Sequence, residues 1–149
     1  MIPIYKGGDR SSVSNYRPIN LTSVVCKQLE HVIAGYLRQV WDMNYWLYEG
    51  QHGFRPRYLC ESQVIAGCQD IADSLDTVAD IDAIIIDFSK VFDLVPHDRL
   101  LTKLAASGVD SRVVVGVREF LAGRTQRVRV GGQLTKEVKV TSGAPQGSV

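Results

Sequence analysis

Four apolar residues ending on a carboxylate constrain this chain more than anything else in it. Ala83-Ile84-Ile85-Ile86 reads as a buried strand of high β-propensity, over residues 83–88, with Asp87 at its carboxyl end. A carboxylate in that place packs poorly. It is a good ligand for Mg²⁺, a hard cation that prefers oxygen. The run continues as Asp87-Phe88-Ser89-Lys90-Val91-Phe92-Asp93-Leu94.

Around this strand the hydrophobic periods alternate between helix and sheet. Residues 1–20 are turn-rich. A helix is expected from Thr22 or Ser23 to about Trp41, with Leu29, Ile33 and Leu37 on one stripe. Residues 50–57 read as irregular. Glu61 or Ser62 opens a second helix to about Leu75, with Val64, Ile65, Cys68, Ile71, Ala72 and Leu75 as its stripe. Pro96 blocks early helix, and Asp98 caps a third through about Ala106, ended by Gly108. A fourth spans about Ser111 to Ala122, ended by Gly123. Residues 126–130 and 136–140 then alternate with period two around Gly131-Gly132, which predicts a hairpin. The last stretch, Ser142-Gly143-Ala144-Pro145-Gln146-Gly147-Ser148-Val149, is a Gly/Pro loop. Strands mixed with helices argue α/β or α+β.

The 149 residues are one domain's worth, and 45% hydrophobic content can supply a core. There is no apolar run long enough to span a membrane, and residues 1–6 lack the layout of a signal peptide. Cys26, Cys60 and Cys68 form no C-x-x-C pair, so free buried thiols are expected. Together these predict an intracellular protein of cytoplasm or nucleus, not a secreted one.

A net charge of +1 conceals an uneven distribution. Residues 61–98 hold Glu61, Asp70, Asp73, Asp76, Asp80, Asp82, Asp87, Asp93 and Asp98 against Lys90 alone. Residues 112–139 hold Arg112, Arg118, Arg124, Arg127, Arg129, Lys136 and Lys139 against Glu119 and Glu137. An acidic centre with basic flanks suits metal in the middle and phosphates around it; solvated helix faces give the same pattern.

Ordered blocks carry a resemblance over most of the chain. Ile2-Pro3-Ile4-Tyr5-Lys6 and Asn15-Tyr16-Arg17-Pro18-Ile19-Asn20-Leu21-Thr22-Ser23 come first, then Gln51-His52-Gly53-Phe54-Arg55. The stretch from Asp87 to Asp93 and the loop centred on Pro145-Gln146-Gly147 follow. In this order and spacing they resemble the reverse transcriptases of LINE-type (non-LTR) retrotransposons. The resemblance implies the fingers and part of the palm of a right-hand polymerase. Residues 1–80 or so would be fingers, and about 81–149 the front of the palm with an incomplete palm sheet. It also implies RNA-templated DNA synthesis by two-metal nucleotidyl transfer, with an RNA template, a DNA primer, dNTPs, and Mg²⁺ or Mn²⁺.

The resemblance assigns roles position by position. Asp87 matches the metal-binding aspartate, and the Phe88 carbonyl adds a metal ligand. Phe92 matches the aromatic under the incoming sugar, where a ring excludes a 2′-hydroxyl. Gln146 matches the residue that contacts the sugar. Arg17 and Lys6 are candidates for the triphosphate. Arg55 either lines the template path or braces the fingers. Arg127 and Arg129 share one face of the hairpin, which either touches a nucleic-acid backbone or is a solvated edge with protective charges. Asp93 has a local hydrogen-bonding or capping role.

Departures from the family pattern are Val91 where Ala is usual, Arg57 and Leu59 where Gly and Ser are expected, and Ala144 before Pro145. The family's aromatic-x-Asp-Asp turn has no counterpart here, so this chain alone is expected to be inactive and marginally stable. The reading from a different class is a non-catalytic nucleic-acid-binding remnant of a decayed element.

Overall fold

Residues 1–77 and 80–148 are described by the computed structural model. Two units make up the chain. Met1–Asn44 and Ser89–Val149 form one, and Tyr45–Phe88 forms the other.

In the first unit the turn-rich start closes into a hairpin. Strands β1 (Ile2–Tyr5) and β2 (Tyr16–Ile19) pair antiparallel, with Ile4 opposite Arg17 and Tyr5 opposite Tyr16. The Lys6 N–H donates to Asn15 O at 2.8 Å and extends the ladder. Turn residues between positions 6 and 15 mark the bend; the strands flanking them have no clear alternation to announce them.

Three helices build the core of this unit, α1 (Val24–Met43), α3 (His97–Ala106) and α4 (Ser111–Leu121); α2 (Cys60–Asp76) lies in the other unit. Ser23 caps α1 by accepting the Cys26 N–H at 3.1 Å. Val40, Leu104, Val109 and Val114 are buried together, with Tyr36, Leu37, Trp41, Leu101, Val113 and Val117 against them. Of the stripe expected on α1, Leu37 joins this core while Leu29 stays 60% exposed. The buried face is 36, 37, 40 and 41, one helical stripe near the carboxyl end. The Trp41 indole N–H donates to Ser107 Oγ at 2.9 Å, and that hydroxyl donates to Leu104 O at 2.8 Å. A buried polar pair is thereby satisfied.

Helix α3 begins two residues earlier than a cap at Asp98 would have it. Pro96 occupies the cap position and Asp98 lies in the first turn, where a negative charge still suits the helix dipole. Asp110 caps α4, accepting the Arg112 N–H at 2.8 Å and its guanidinium at 2.7 Å. The Arg112 side chain, helped by the backbone N–H, lowers the Asp110 carboxyl from 3.8 to about 2. A folded pKa below the unfolded one stabilises α4 fully above about pH 4, and that contribution is lost as pH falls towards 2. Amide protection of Val113 and Val114 should therefore decline over this window. Asp110→Asn should flatten the decline, and an unchanged pH profile in that variant would refute the assignment.

The predicted hairpin forms, with a break in it. Strands β4 (Arg129–Val130) and β5 (Gln133–Leu134) pair across Gly131-Gly132, and β3 (Thr125–Gln126) pairs with β6 (Val138–Lys139). Arg129 lies opposite Leu134 but Gln126 lies opposite Val138, so residues 135–137 face only 127–128. One extra residue on the returning strand is a β-bulge. Thr135 fills the break: it donates its N–H to Val128 O, and its hydroxyl accepts the Val128 N–H, both at 3.0 Å.

In the second unit, helix α2 follows a loop knotted by the Gln51–Arg55 block. His52 Nδ1 lies 2.7 Å from Ser62 Oγ and the ring packs edge-on against Tyr58. Both departures at 57 and 59 have a local structural consequence. Arg57 sits at φ 69°, a left-handed conformation that favours glycine. Leu59 occupies the helix cap and has no oxygen to offer the first turn, although Ser62 Oγ accepts the Leu59 N–H. Leu59 is 63% exposed, so Leu59→Ser should add a cap without costing packing. We expect α2 to gain about 1 kcal/mol, read as helix content on heating. No gain would refute the missing cap oxygen as a cost to α2.

Two expectations fail here. Residues 83–88 are not a buried strand: 81–88 pair with no strand among the described residues, and Ile84, Ile85 and Ile86 are 84%, 93% and 73% exposed. β-Propensity reflects how side chains fit a pleated, half-buried surface, and a ladder needs a second strand to take its N–H and C=O groups. The three cysteines are free as expected, but exposed rather than buried. They lie on helix faces that no partner covers among the described residues. The stripe on α2 is likewise open, with Val64, Ile65 and Leu75 each more than 60% exposed.

Candidate functional site

Two segments far apart in sequence are laced together in the first unit. Residues 89–95 turn sharply at Lys90, which sits at φ 53°, and the Asp93 N–H donates to Lys90 O at 3.0 Å. The 142–148 loop lies along this turn. The Ala144 N–H donates to Phe92 O at 2.8 Å, and the Gly143 N–H to Val95 O at 2.9 Å. Ser142 Oγ donates to Asp93 O at 3.2 Å, and Gln146 Nε2 to Asp93 Oδ1 at 3.1 Å. His97, at the start of α3, lies with Nε2 2.9 Å from Gly143 O. A carbonyl only accepts, so that nitrogen carries the proton.

Gly143 permits this approach. It sits at φ 86°, and a Cβ there would lie 2.7 Å from Asp93 O and 2.9 Å from Phe92 O. The far side of the loop is tied to the end of the first hairpin, since the Asn20 N–H donates to Gln146 O at 2.7 Å.

A cavity of about 300 Å³ opens beside this lacing. Pro18, Asn20, Asp93 and Gln146 contribute to its lining, as do Arg124 and Lys139. The two cations outnumber the one carboxylate, so the cavity favours an anionic or phosphate-bearing ligand. Arg124 is held with its guanidinium 4.7 Å over the Phe120 ring. Neither Arg124, Lys139 nor Asn20 stood out in the sequence. The signal for Arg124 and Lys139 there was the basic excess after residue 112, and Asn20 was one residue of the Asn15–Ser23 block.

The other expected site residues lie elsewhere. Lys6 and Arg17 are exposed, and neither lines the cavity. The β1–β2 register carried on by one residue puts them diagonally on one face of the hairpin. Phe92 is 49% exposed and meets the loop through its backbone. Arg127 pairs with Glu137 at 2.7 Å across the bulge. Hydrogen bonds from Thr125 and from Arg127 hold that glutamate below the usual carboxylate range. Arg129 is exposed on β4. Val149, the last residue of the Pro-Gln-Gly block, lies outside the described residues.

Asp87, Phe88 and Arg55 belong to the second unit. Arg55 donates to Tyr48 O at 3.1 Å and Glu49 O at 3.3 Å and stacks on Tyr58. Asp87 is exposed, and Phe88 is 75% exposed. Among the described residues no three His, Cys, Asp or Glu side chains gather where they could hold a metal ion. The residues present therefore do not fit a magnesium pair by themselves. No helix among them is long and apolar enough to cross a membrane.

Comparison with known proteins bears on the same blocks. The family model described as reverse transcriptase (RNA-dependent DNA polymerase) matches residues 4–149. The probable RNA-directed DNA polymerase from transposon BS of Drosophila melanogaster is 31% identical over all of this chain and 16% of its own length. The RNA-directed DNA polymerase from mobile element jockey, also of Drosophila melanogaster, is 28% identical over all of this chain and 16% of its own. A Pol polyprotein from the type-1 retrotransposable element R2 of Popillia japonica is 26% identical over 97% of this chain and 20% of its own. The chain thus spans about a sixth of the first two relatives, 16% of each. No solved structure matches it. Because the family match runs from the first strand through the Pro-Gln-Gly loop, the chain belongs to the reverse transcriptase family, among the polymerases of non-LTR retrotransposons.

Proposed function

We propose that this chain is the fingers region, about residues 1–80, and the front of the palm, about 81–149, of an RNA-directed DNA polymerase. Such an enzyme extends a DNA primer on an RNA template with dNTPs, inside the cell. The observation that supports this best is the lacing of Phe92–Val95 to Ser142–Gln146 beside a cationic cavity. In this reading Phe92 excludes a 2′-hydroxyl, and Gln146 contacts the sugar. Lys6 and Arg17 take the triphosphate, while Arg55, Arg127 and Arg129 follow the nucleic-acid backbone. Arg127 would have to exchange Glu137 for a phosphate, which weakens its share.

Asp87 supplies one carboxylate for metal, with the Phe88 carbonyl beside it. Further carboxylates would have to join them, so the chain by itself is proposed to bind without polymerising. Anisotropy of a labelled RNA–DNA primer-template should show binding that weakens steeply with salt. Extension of that primer by the purified chain with Mg²⁺ would overturn the claim of inactivity. No binding at low salt would overturn the nucleic-acid role.

A further inference from the structure

A chain segment that runs straight and joins no ladder keeps its N–H and C=O groups open to another strand. Residues 80–88 run without helix, turn or bend, and 81–88 pair with no strand among the described residues. Ile84, Ile85, Ile86 and Phe88 are all exposed on it. Three consecutive isoleucines, with no proline or glycine from 80 to 88, have the composition that strand-to-strand association favours.

The segment matches itself in one orientation better than in others. Parallel and in register, two copies would set Asp82 against Asp82 and Asp87 against Asp87, like charges directly opposite. Antiparallel about Ile85, the pairs are Ile84 with Ile86, Ile85 with Ile85, Ala83 with Asp87 and Asp82 with Phe88. No acid then faces an acid. Ile84, Ile86 and Phe88 of both copies share one face, because side chains alternate along a strand. A slip of one residue would divide them between two faces. A third strand would repeat the first orientation about 10 Å away and put Asp82 and Asp87 in like-charged rows, which favours two copies over many.

We propose that residues 82–88 are a self-association strand, through which two copies of this chain pair antiparallel about a two-fold axis at Ile85. The contact is apolar at its centre and bounded by the carboxylates of Asp82 and Asp87. Salt screens those carboxylates and strengthens the pair, whereas it weakens nucleic-acid binding.

Sedimentation equilibrium of the 149-residue chain, freed of nucleic acid, tests this. The mass should double between about 2 and 200 µM, and the dissociation constant should fall about twofold or more from roughly 0.05 to 0.5 M NaCl. Ile85→Lys should keep the mass of one copy throughout. Ile85 is 93% exposed, so this change removes no packing within one copy, which unchanged far-UV circular dichroism checks. Val13→Lys, at a position 86% exposed in the other unit, should still double. Register is read by crosslinking in a chain that carries Cys26→Ser, Cys60→Ser and Cys68→Ser. Adding Ile85→Cys should close a disulfide between copies about tenfold faster than adding Asp82→Cys, because only residues directly opposite bring Cα atoms within reach. A wild-type chain that stays at one copy overturns the proposal, as does an Ile85→Lys chain that doubles like wild type. Mass that climbs past two copies, a dissociation constant that rises with salt, or equal crosslinking at 82 and 85 overturns it too.

Discussion

Replacing Gly143 with alanine is expected to destabilise the first unit by about 2–4 kcal/mol. Two costs add. At φ 86° a side chain is strained, by roughly 1–2 kcal/mol. The new Cβ would also lie 2.7 Å from Asp93 O, a backbone atom that cannot swing aside. The opposing gain, a stiffer unfolded chain, is smaller at about 0.4–1 kcal/mol. Gly123 provides the control, since it sits at φ 62° with nothing within 4 Å of a built Cβ. Gly123→Ala should therefore show the strain without the clash. Urea unfolding followed by tryptophan fluorescence measures both. If the two alanine variants unfold at the same midpoint, the contact between the 142–148 loop and the Asp93 carbonyl is not as close as described.

The second large effect concerns the core. Leu104→Ala should cost about 2–5 kcal/mol, the transfer of the lost methyl groups plus the cavity they leave. Leu104 is 6% exposed and packs with Val40, Val109 and Val114. Its carbonyl also takes the Ser107 hydroxyl that holds Trp41. A domain with about 5–15 kcal/mol of stability has little to spare, so far-UV circular dichroism should show partial loss of helix at 37 °C. Leu29→Ala, at a position 60% exposed, should change the melting curve little. Equal effects at the two positions would remove the reason for placing the core on the carboxyl half of α1.

How much of this was legible in advance differs from element to element. All four expected helices exist, because their signals are local: Ser23 as a cap, Gly108 and Gly123 in left-handed conformations just past α3 and α4. The Gly131-Gly132 turn was equally plain. The Thr135 bulge was not, since alternation fixes which residues can face inward but not where one strand carries an extra residue. The first hairpin is not legible in sequence because its pairing is set by contacts across the 6–15 bend. Asp93 is expected from sequence to have a local hydrogen-bonding or capping role; its backbone bonds locally to Lys90, but its side chain reaches Gln146, 53 residues on.

The sequence by itself determined the family, through blocks whose order and wording need no coordinates, and the helices, through caps, periods and glycines that act within a few residues. Tertiary structure alone decided which stripe of α1 is buried, that 83–88 finds no strand to pair with among the described residues, and that Asp93 holds Gln146 beside a cationic cavity. The physical reason is range. Capping and propensity are settled within about one helical turn, whereas a ladder, a core or a side-chain clamp exists only when a distant segment brings the partner to hydrogen-bond distance.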